Sequence, residues 1–296
     1  MRSLRPAIIG ALLVAASVLL SACSSLRIGY NNAGQFAYWW LDGFVDFTDE
    51  QAEPVRLALD RYFEWHRATQ LADYAALLSG VQQQLRAPTT PQAVCTLMDE
   101  VTGRLDAAYQ HALPMLAEFV LTMSPAQLQN LERRYAKNNR EFRSDYLQEA
   151  AAERLRVSVR RGIERAESLY GKLDQTQREL VARRVAESPF DPKLSLAERR
   201  ARQDDILATL RPLVATAAAE GAQRTARARD ALAALSARFI VSPREAYRSY
   251  SERVTRHNCA FAAELHNSTT PAQRQAATKK VKGWEDDLRA LSGDGR

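Results

Sequence analysis

Apolar positions in this chain recur three and four residues apart, and nowhere in the strict alternation that marks half-buried strands. Val55, Leu59, Tyr62, Phe63 and His66 share one helical face, and so do Leu128, Leu131, Tyr135, Phe142 and Tyr146. Both stripes read as core. Arg133, Arg134 and Lys137 lie opposite the second stripe and read as a solvated charged face. Leu155, Val159, Ile163 and Tyr170 form a third stripe, rotated by roughly a third of a turn from the second at about 100° per residue. Supercoil drift of about 20° per heptad is too small to produce that offset. The helix therefore changes neighbours along its length or bends near Ala150 to Ala152. Unbroken from Ser124 to Tyr170 it would be ~70 Å long, which predicts an elongated molecule.

A short polar signature punctuates these stripes: a capping residue followed three positions later by Gln or Glu. It occurs at Thr48 and Gln51, Ser124 and Gln127, Asp174 and Gln177, Ser195 and Glu198, Ser242 and Glu245, and Thr270 and Gln273. This is the capping box, in which the cap side chain accepts from the third helical amide and the Gln or Glu reaches back to the cap amide. Pro125, Pro243 and Pro271 occupy the first helical position, where a missing amide proton costs nothing. Thr90 before Pro91 adds a start without the reciprocal partner. Helices are thus predicted to begin near 48, 90, 124, 174, 195, 242 and 270. Pro114 and Pro212 fall inside helical runs and are expected to kink or divide them. Ser188-Pro189-Phe190-Asp191-Pro192 reads as a connector between helices, because each proline bars the residue before it from helix. The fold class is all-α: a multi-helix bundle with long, kinked helices, with a single helical domain over 48–291 and a disordered tail over 292–296.

Composition agrees with the pattern. Glycine is scarce, with 12 in 296 residues, while Ala, Leu, Arg, Glu and Gln dominate. The chain opens differently. Arg2 and Arg5 precede a mostly apolar stretch from Ala7 to Leu20, too short to span a bilayer, and then Leu20-Ser21-Ala22-Cys23. A basic lead, a short apolar core and small residues form the anatomy of a secretion signal over 1–22. The tetrapeptide resembles the bacterial lipobox at every position. That resemblance implies a diacylglyceryl thioether on Cys23, an acylated amino terminus and membrane attachment through these chains, two or more of which suffice for a stable anchor. Ser24 rather than Asp after the cysteine implies, by the same resemblance, the outer membrane, with the protein on its inner leaflet facing the periplasm.

Removing Arg2 and Arg5 from the 41 Lys+Arg leaves 39 against 35 Asp+Glu. An excess so mild and so interspersed speaks against a nucleic-acid partner, which needs a clustered basic face. Apart from Cys23 the chain holds Cys95 and Cys259, 164 positions apart. In an oxidising periplasm an even pair predicts a disulfide that closes the fold end to end; two separate buried thiols is the alternative, because sequence gives no distance between their Cα atoms. Between Tyr30 and Phe47 lie seven aromatics: Tyr30, Phe36, Tyr38, Trp39, Trp40, Phe44 and Phe47. The lipidated segment 23–47 is either an interfacial belt bedded among headgroups or a plug filling the core. The scarcity of basic residues around it favours the plug.

The runs Tyr30-Asn31-Asn32-Ala33, Tyr38-Trp39-Trp40-Leu41-Asp42-Gly43, Trp65-His66-Arg67, Asp73-Tyr74, Ser188-Pro189-Phe190-Asp191 and Lys282-Gly283-Trp284-Glu285-Asp286-Asp287-Leu288 resemble a proteobacterial lipoprotein family of unknown function, over essentially the whole chain. That resemblance implies an envelope location and a helical fold, and no activity. Phe47-Thr48-x-x-Gln51, Met123-Ser124-x-x-Gln127, Leu173-Asp174-x-x-Gln177 and Thr269-Thr270-x-x-Gln273 resemble, more distantly, the Leu-Thr-x-x-Gln signature of Spy- and CpxP-type periplasmic chaperones. Plain capping boxes give the same letters. The chaperone resemblance implies a helical surface that touches other polypeptides.

Catalytic signatures are missing from the sequence. The four histidines, His66, His111, His257 and His266, form no metal-binding spacing, and neither a phosphate loop nor a nucleophile elbow occurs. His257-Asn258-Cys259 suggests a metal or thiolate site only if Cys259 is free. His66 lies on an apolar stripe and reads as a core histidine. The expectation is a binding protein without cofactor or metal, acting on periplasmic or outer-membrane proteins either as a chaperone or as a structural adaptor of one envelope complex, with a hydrolase of envelope material as the remaining alternative. The sequence leaves the oligomeric state open.

Overall fold

A computed structural model describes residues 25–147, 150–215 and 222–293. Cys23 and the expected signal therefore lie outside the described residues. The described chain forms helices joined by short connections, with no strand among these residues. In chain order they are α1 (Ser25–Asn31), α2 (Ala33–Val45), α3 (Asp49–Thr69), α4 (Leu71–Gln84), α5 (Pro91–Val120), α6 (Pro125–Tyr146), α7 (Ala151–Tyr170), α8 (Gln175–Ala186), α9 (Pro192–Ala215), α10 (Ala222–Ile240), α11 (Glu245–Asn267) and α12 (Pro271–Gly293).

Leu128 and Leu131 of the second stripe and Tyr170 of the third are buried in packing faces, as is Leu59 of the first, whereas Leu155 stays 41% exposed. One core gathers Leu113, Ala117 and Val120 of α5, Leu128 and Leu131 of α6, Leu207, Leu210 and Val214 of α9, Leu232 and Leu235 of α10, and Val45 at the end of α2. A second joins Ala166 of α7 and Val181 of α8 to Leu265 of α11. A third sets Leu85 and Tyr170 against Ala277 and Val281 of α12, which packs along α4. Helix α5 serves the first core with its carboxyl-terminal half and packs its amino-terminal half on α11. There Cys95 and Cys259 form the disulfide, with Cα atoms 5.5 Å apart. The bridge closes the fold across 164 residues.

Several sequence expectations are corrected. The unbroken 124–170 helix is not formed: α6 ends at Tyr146 and α7 begins at Ala151, beside the bend expected near Ala150 to Ala152. Pro114 and Pro212 do not divide α5 and α9, since a single proline removes one amide bond and a packed apolar face holds the helix through it. Ser195 does not cap. Asp191, followed by Pro192, accepts the amides of Lys193 at 2.7 Å and Leu194 at 3.2 Å, so α9 starts earlier and Ser195 sits in its first turn. Glu198 is buried and pairs with Arg202 at 2.7 Å and Arg244 at 3.4 Å. Ser242 does not cap either: its Oγ accepts from the Arg244 amide at 3.2 Å in a turn, and α11 begins only at Glu245, which pairs with Arg248 instead. Ser292 and Gly293, expected in the tail, are the last residues of α12.

Candidate functional site

The four remaining boxes do more than start helices, because they meet in pairs. In the first pair Gln51 Nε2 donates to Gln127 Oε1 at 3.3 Å, and Gln127 Nε2 donates back to Gln51 Oε1 at 2.6 Å. Each oxygen also accepts from its own cap amide, Thr48 at 3.1 Å and Ser124 at 2.9 Å. Each nitrogen also donates to the carbonyl two residues before the opposite cap, Gln51 to Thr122 at 2.9 Å and Gln127 to Asp46 at 3.0 Å.

The second pair repeats this arrangement bond for bond. Gln177 and Gln273 exchange their amides at 2.8 and 2.9 Å. Their oxygens accept the Asp174 amide at 3.1 Å and the Thr270 amide at 2.9 Å. Their nitrogens reach the carbonyls of Ser268 and Lys172, each at 3.0 Å. A carboxamide has two donors and room for two accepted bonds, so every one of these side chains is saturated, as burial requires of Gln51, Gln127 and Gln177. Two helix amino termini are thereby tied tip to tip at each pair: α3 to α6, and α8 to α12. Thr90 caps α5 through the Ala93 amide at 3.2 Å without such a partner.

Beside the first pair opens a cavity of 1010 Å³. Pro54, Leu57, Ala58 and Leu59 of α3 line one side, Tyr109, Leu116 and Phe119 of α5 another, and Tyr135, Ile206 and Phe239 close it from α6, α9 and α10. Gln51, Gln127 and Met123 lie at one end. Glu50, Arg61 and Glu118 also border it and are exposed. Burial pushes the Tyr135 hydroxyl up to about 12, so it stays a neutral hydrogen-bonding group at any physiological pH. A concave apolar wall of this size suits apolar ligand groups, which it can remove from water without leaving a polar group unpaired.

A second cavity, of 590 Å³, is polar and is lined by Arg140, Arg143, Arg200 and Arg211 with Glu132 and Asp204. Glu132 is paired with Arg211 at 2.5 Å. Behind it Asn139 and Gln203 exchange amides at 2.7 and 3.3 Å, tying α6 to α9.

The histidines are absorbed by structural contacts. His66 bonds Tyr30 at 2.8 Å and Tyr74 at 3.3 Å through its two ring nitrogens. His266 donates from Nε2 to the Ala87 carbonyl at 2.9 Å, which leaves Nδ1 to accept from Tyr170 at 3.0 Å. His257 Nε2 donates to the Arg184 carbonyl at 2.8 Å, and His111 stacks on Trp65 at 3.5 Å. Burial lowers the pKa of both His66 and His266. Cys259 is in the disulfide, so His257-Asn258-Cys259 holds no thiolate. Among the described residues no three His, Cys, Asp or Glu converge to hold a metal ion, and no helix is long and apolar enough to cross a membrane.

The aromatic segment is split rather than plugged. Tyr38 is buried beneath the Arg56 guanidinium, 4.1 Å from its ring, and Phe44 and Phe47 pack against the first core. Phe36, Trp39 and Trp40 remain 51%, 59% and 63% exposed. The plug expectation fails for these three because they sit on the opposite face of α2 from Tyr38 and Val45. The pairing of the glutamines and the apolar cavity were not foreseen; four boxes of one type were the visible signal for the first, and nothing local marked the second.

Fold and site together define a disulfide-closed, all-helical protein with saturated polar ties between helix tips and an apolar cleft beside one of them. The chain belongs to a family of unknown function, DUF6279, whose model matches residues 43–219. The match takes in three of the four paired glutamines and most of the cleft, begins at Gly43, the last residue of the Tyr38–Gly43 run, and ends before the Lys282–Leu288 run. Neither curated proteins nor solved structures give a match.

Proposed function

We propose that this protein is a lipoprotein of the bacterial envelope, anchored through acylated Cys23 in the outer membrane and facing the periplasm, where it acts by holding apolar segments of other polypeptides. The observation that carries the binding reading is the 1010 Å³ apolar cleft with charged residues on its border. Apolar walls take up exposed side chains of many sequences, and the charged border keeps the open cleft soluble, a combination suited to chaperone-like holding. The Thr48/Gln51 and Ser124/Gln127 boxes support the same reading, because they tie α3 to α6, two of the helices that wall the cleft. In the adaptor alternative the cleft takes one fixed partner. The hydrolase alternative needs carboxylates or histidines free to converge on a substrate, and the four histidines are engaged in ring and backbone contacts.

Leu57, 49% exposed on the cleft wall, gives a test that spares the core. The purified protein at stoichiometric ratio should suppress light scattering by several unrelated unfolded clients, and Leu57→Asp should lose most of that effect with an unchanged thermal midpoint. No suppression of any client would overturn the holding reading. Crosslinking in native membranes should return many partners; one dominant partner would establish the adaptor instead. The anchor has its own assay: labelled palmitate should be incorporated by the wild type and not by Cys23→Ala.

A further inference from the structure

We infer that the outward face of α1 and α2 is a bilayer-contacting surface, which lays the amino-terminal end of the helical body on the lipid rather than leaving it hanging from a tether. Phe36, Trp39 and Trp40 lie at positions i, i+3 and i+4 of α2, so their rings form one contiguous patch, and all three are more than half exposed. Ile28 of α1 is 56% exposed and extends the apolar character toward the amino terminus. Exposed apolar residues are usually scattered singly; here two tryptophans stand side by side in water.

Three observations select lipid as the occupant. No Asp, Glu, Lys or Arg occurs from Ile28 to Leu41, so the face enters a headgroup zone without desolvating a charge. Tryptophan, with its apolar body and one N–H donor, is the side chain most favoured at that depth. The described chain begins at Ser25, two residues after Cys23, and at about 1.5 Å per helical residue α1 is only ~10 Å long. An acylated Cys23 therefore keeps α1 and the first turns of α2 beside the bilayer surface. The last argument rests on the anchor proposed above; the first two do not.

The test uses full-length protein reconstituted into phosphatidylethanolamine and phosphatidylglycerol vesicles containing bromine-labelled phospholipid, which quenches only tryptophans at bilayer depth. A bromine-sensitive fraction of the emission should be present in the wild type and fall sharply in W39F/W40F, which keeps Trp65 of α3 and Trp284 of α12 as the remaining emitters. A Cys23→Ser protein separates the face from the anchor: it should keep weak vesicle affinity, lowered about tenfold or more by F36S/W39S/W40S, since interfacial affinity scales with the apolar area inserted. Emission insensitive to brominated lipid, or sensitivity that W39F/W40F leaves undiminished, overturns the inference. So does self-association of the Cys23→Ser protein that disappears in F36S/W39S/W40S, which would make the face an interface between copies. Loss of palmitate labelling with the bromine effect intact would sink the anchor alone.

Discussion

Replacing Gln177 by alanine removes more than a helix cap. The side chain is 1% exposed and makes four hydrogen bonds: it donates to Ser268 and Gln273 and accepts from Asp174 and Gln273. At about 1 kcal/mol net for each bond lost, and with the Gln273 amide left half-satisfied in place, the expected loss is about 3–4 kcal/mol. Urea unfolding followed by circular dichroism measures it as a fall in the midpoint at constant slope. The same model predicts strong coupling. Once Gln177 is gone, Gln273 has already lost two of its four bonds, so the double variant Q177A/Q273A should cost about 1–2 kcal/mol less than the sum of the single changes. Q177A/Q51A should be additive, because the two pairs share no partner. A single-variant effect below about 0.5 kcal/mol, or additivity within the pair, would refute the claim that these amides bear on each other.

The disulfide is open to direct assay: mass spectrometry after alkylation should show Cys95 and Cys259 protected until reductant is added, and C95A/C259A should lose up to about 5 kcal/mol in the chain-entropy model for a loop of this length. Acid sensitivity should appear above the carboxylate range. His266 is held neutral by burial, its pKa below the ordinary 6.5, so the unfolded chain takes up the proton first; stability should be full above about pH 6.5 and decline as pH falls from there to the folded-state value. His266→Gln should lessen the fall in urea midpoint below about pH 6.5, with His66, also held neutral by burial, supplying the rest; a wild-type midpoint that does not fall below about pH 6.5 ahead of carboxylate titration would remove histidine burial as a source of pH dependence.

The sequence by itself settled what depends on near neighbours. Helical periodicity, Pro91, Pro125 and Pro271 after good caps, and the connector at 188–192 placed the elements, because each signal is read by backbone groups within four residues of it. The limits of that logic show at Ser195 and Ser242. Each carries the right letters, yet Asp191 offered an earlier cap to α9, and a turn consumed Ser242 before α11. The cysteine pair allowed a bridge, and only the packing of α5 on α11 brought the two Cα atoms to 5.5 Å. Likewise the glutamines announced four helix starts, but which would face which was decided by helices 76 and 96 residues apart folding tip to tip. The apolar cleft and the exposed tryptophans of α2 are also products of tertiary structure. Whether an apolar side chain ends in a core, in a cleft wall or in water depends on what the rest of the chain lays over it, and a local pattern carries no term for that.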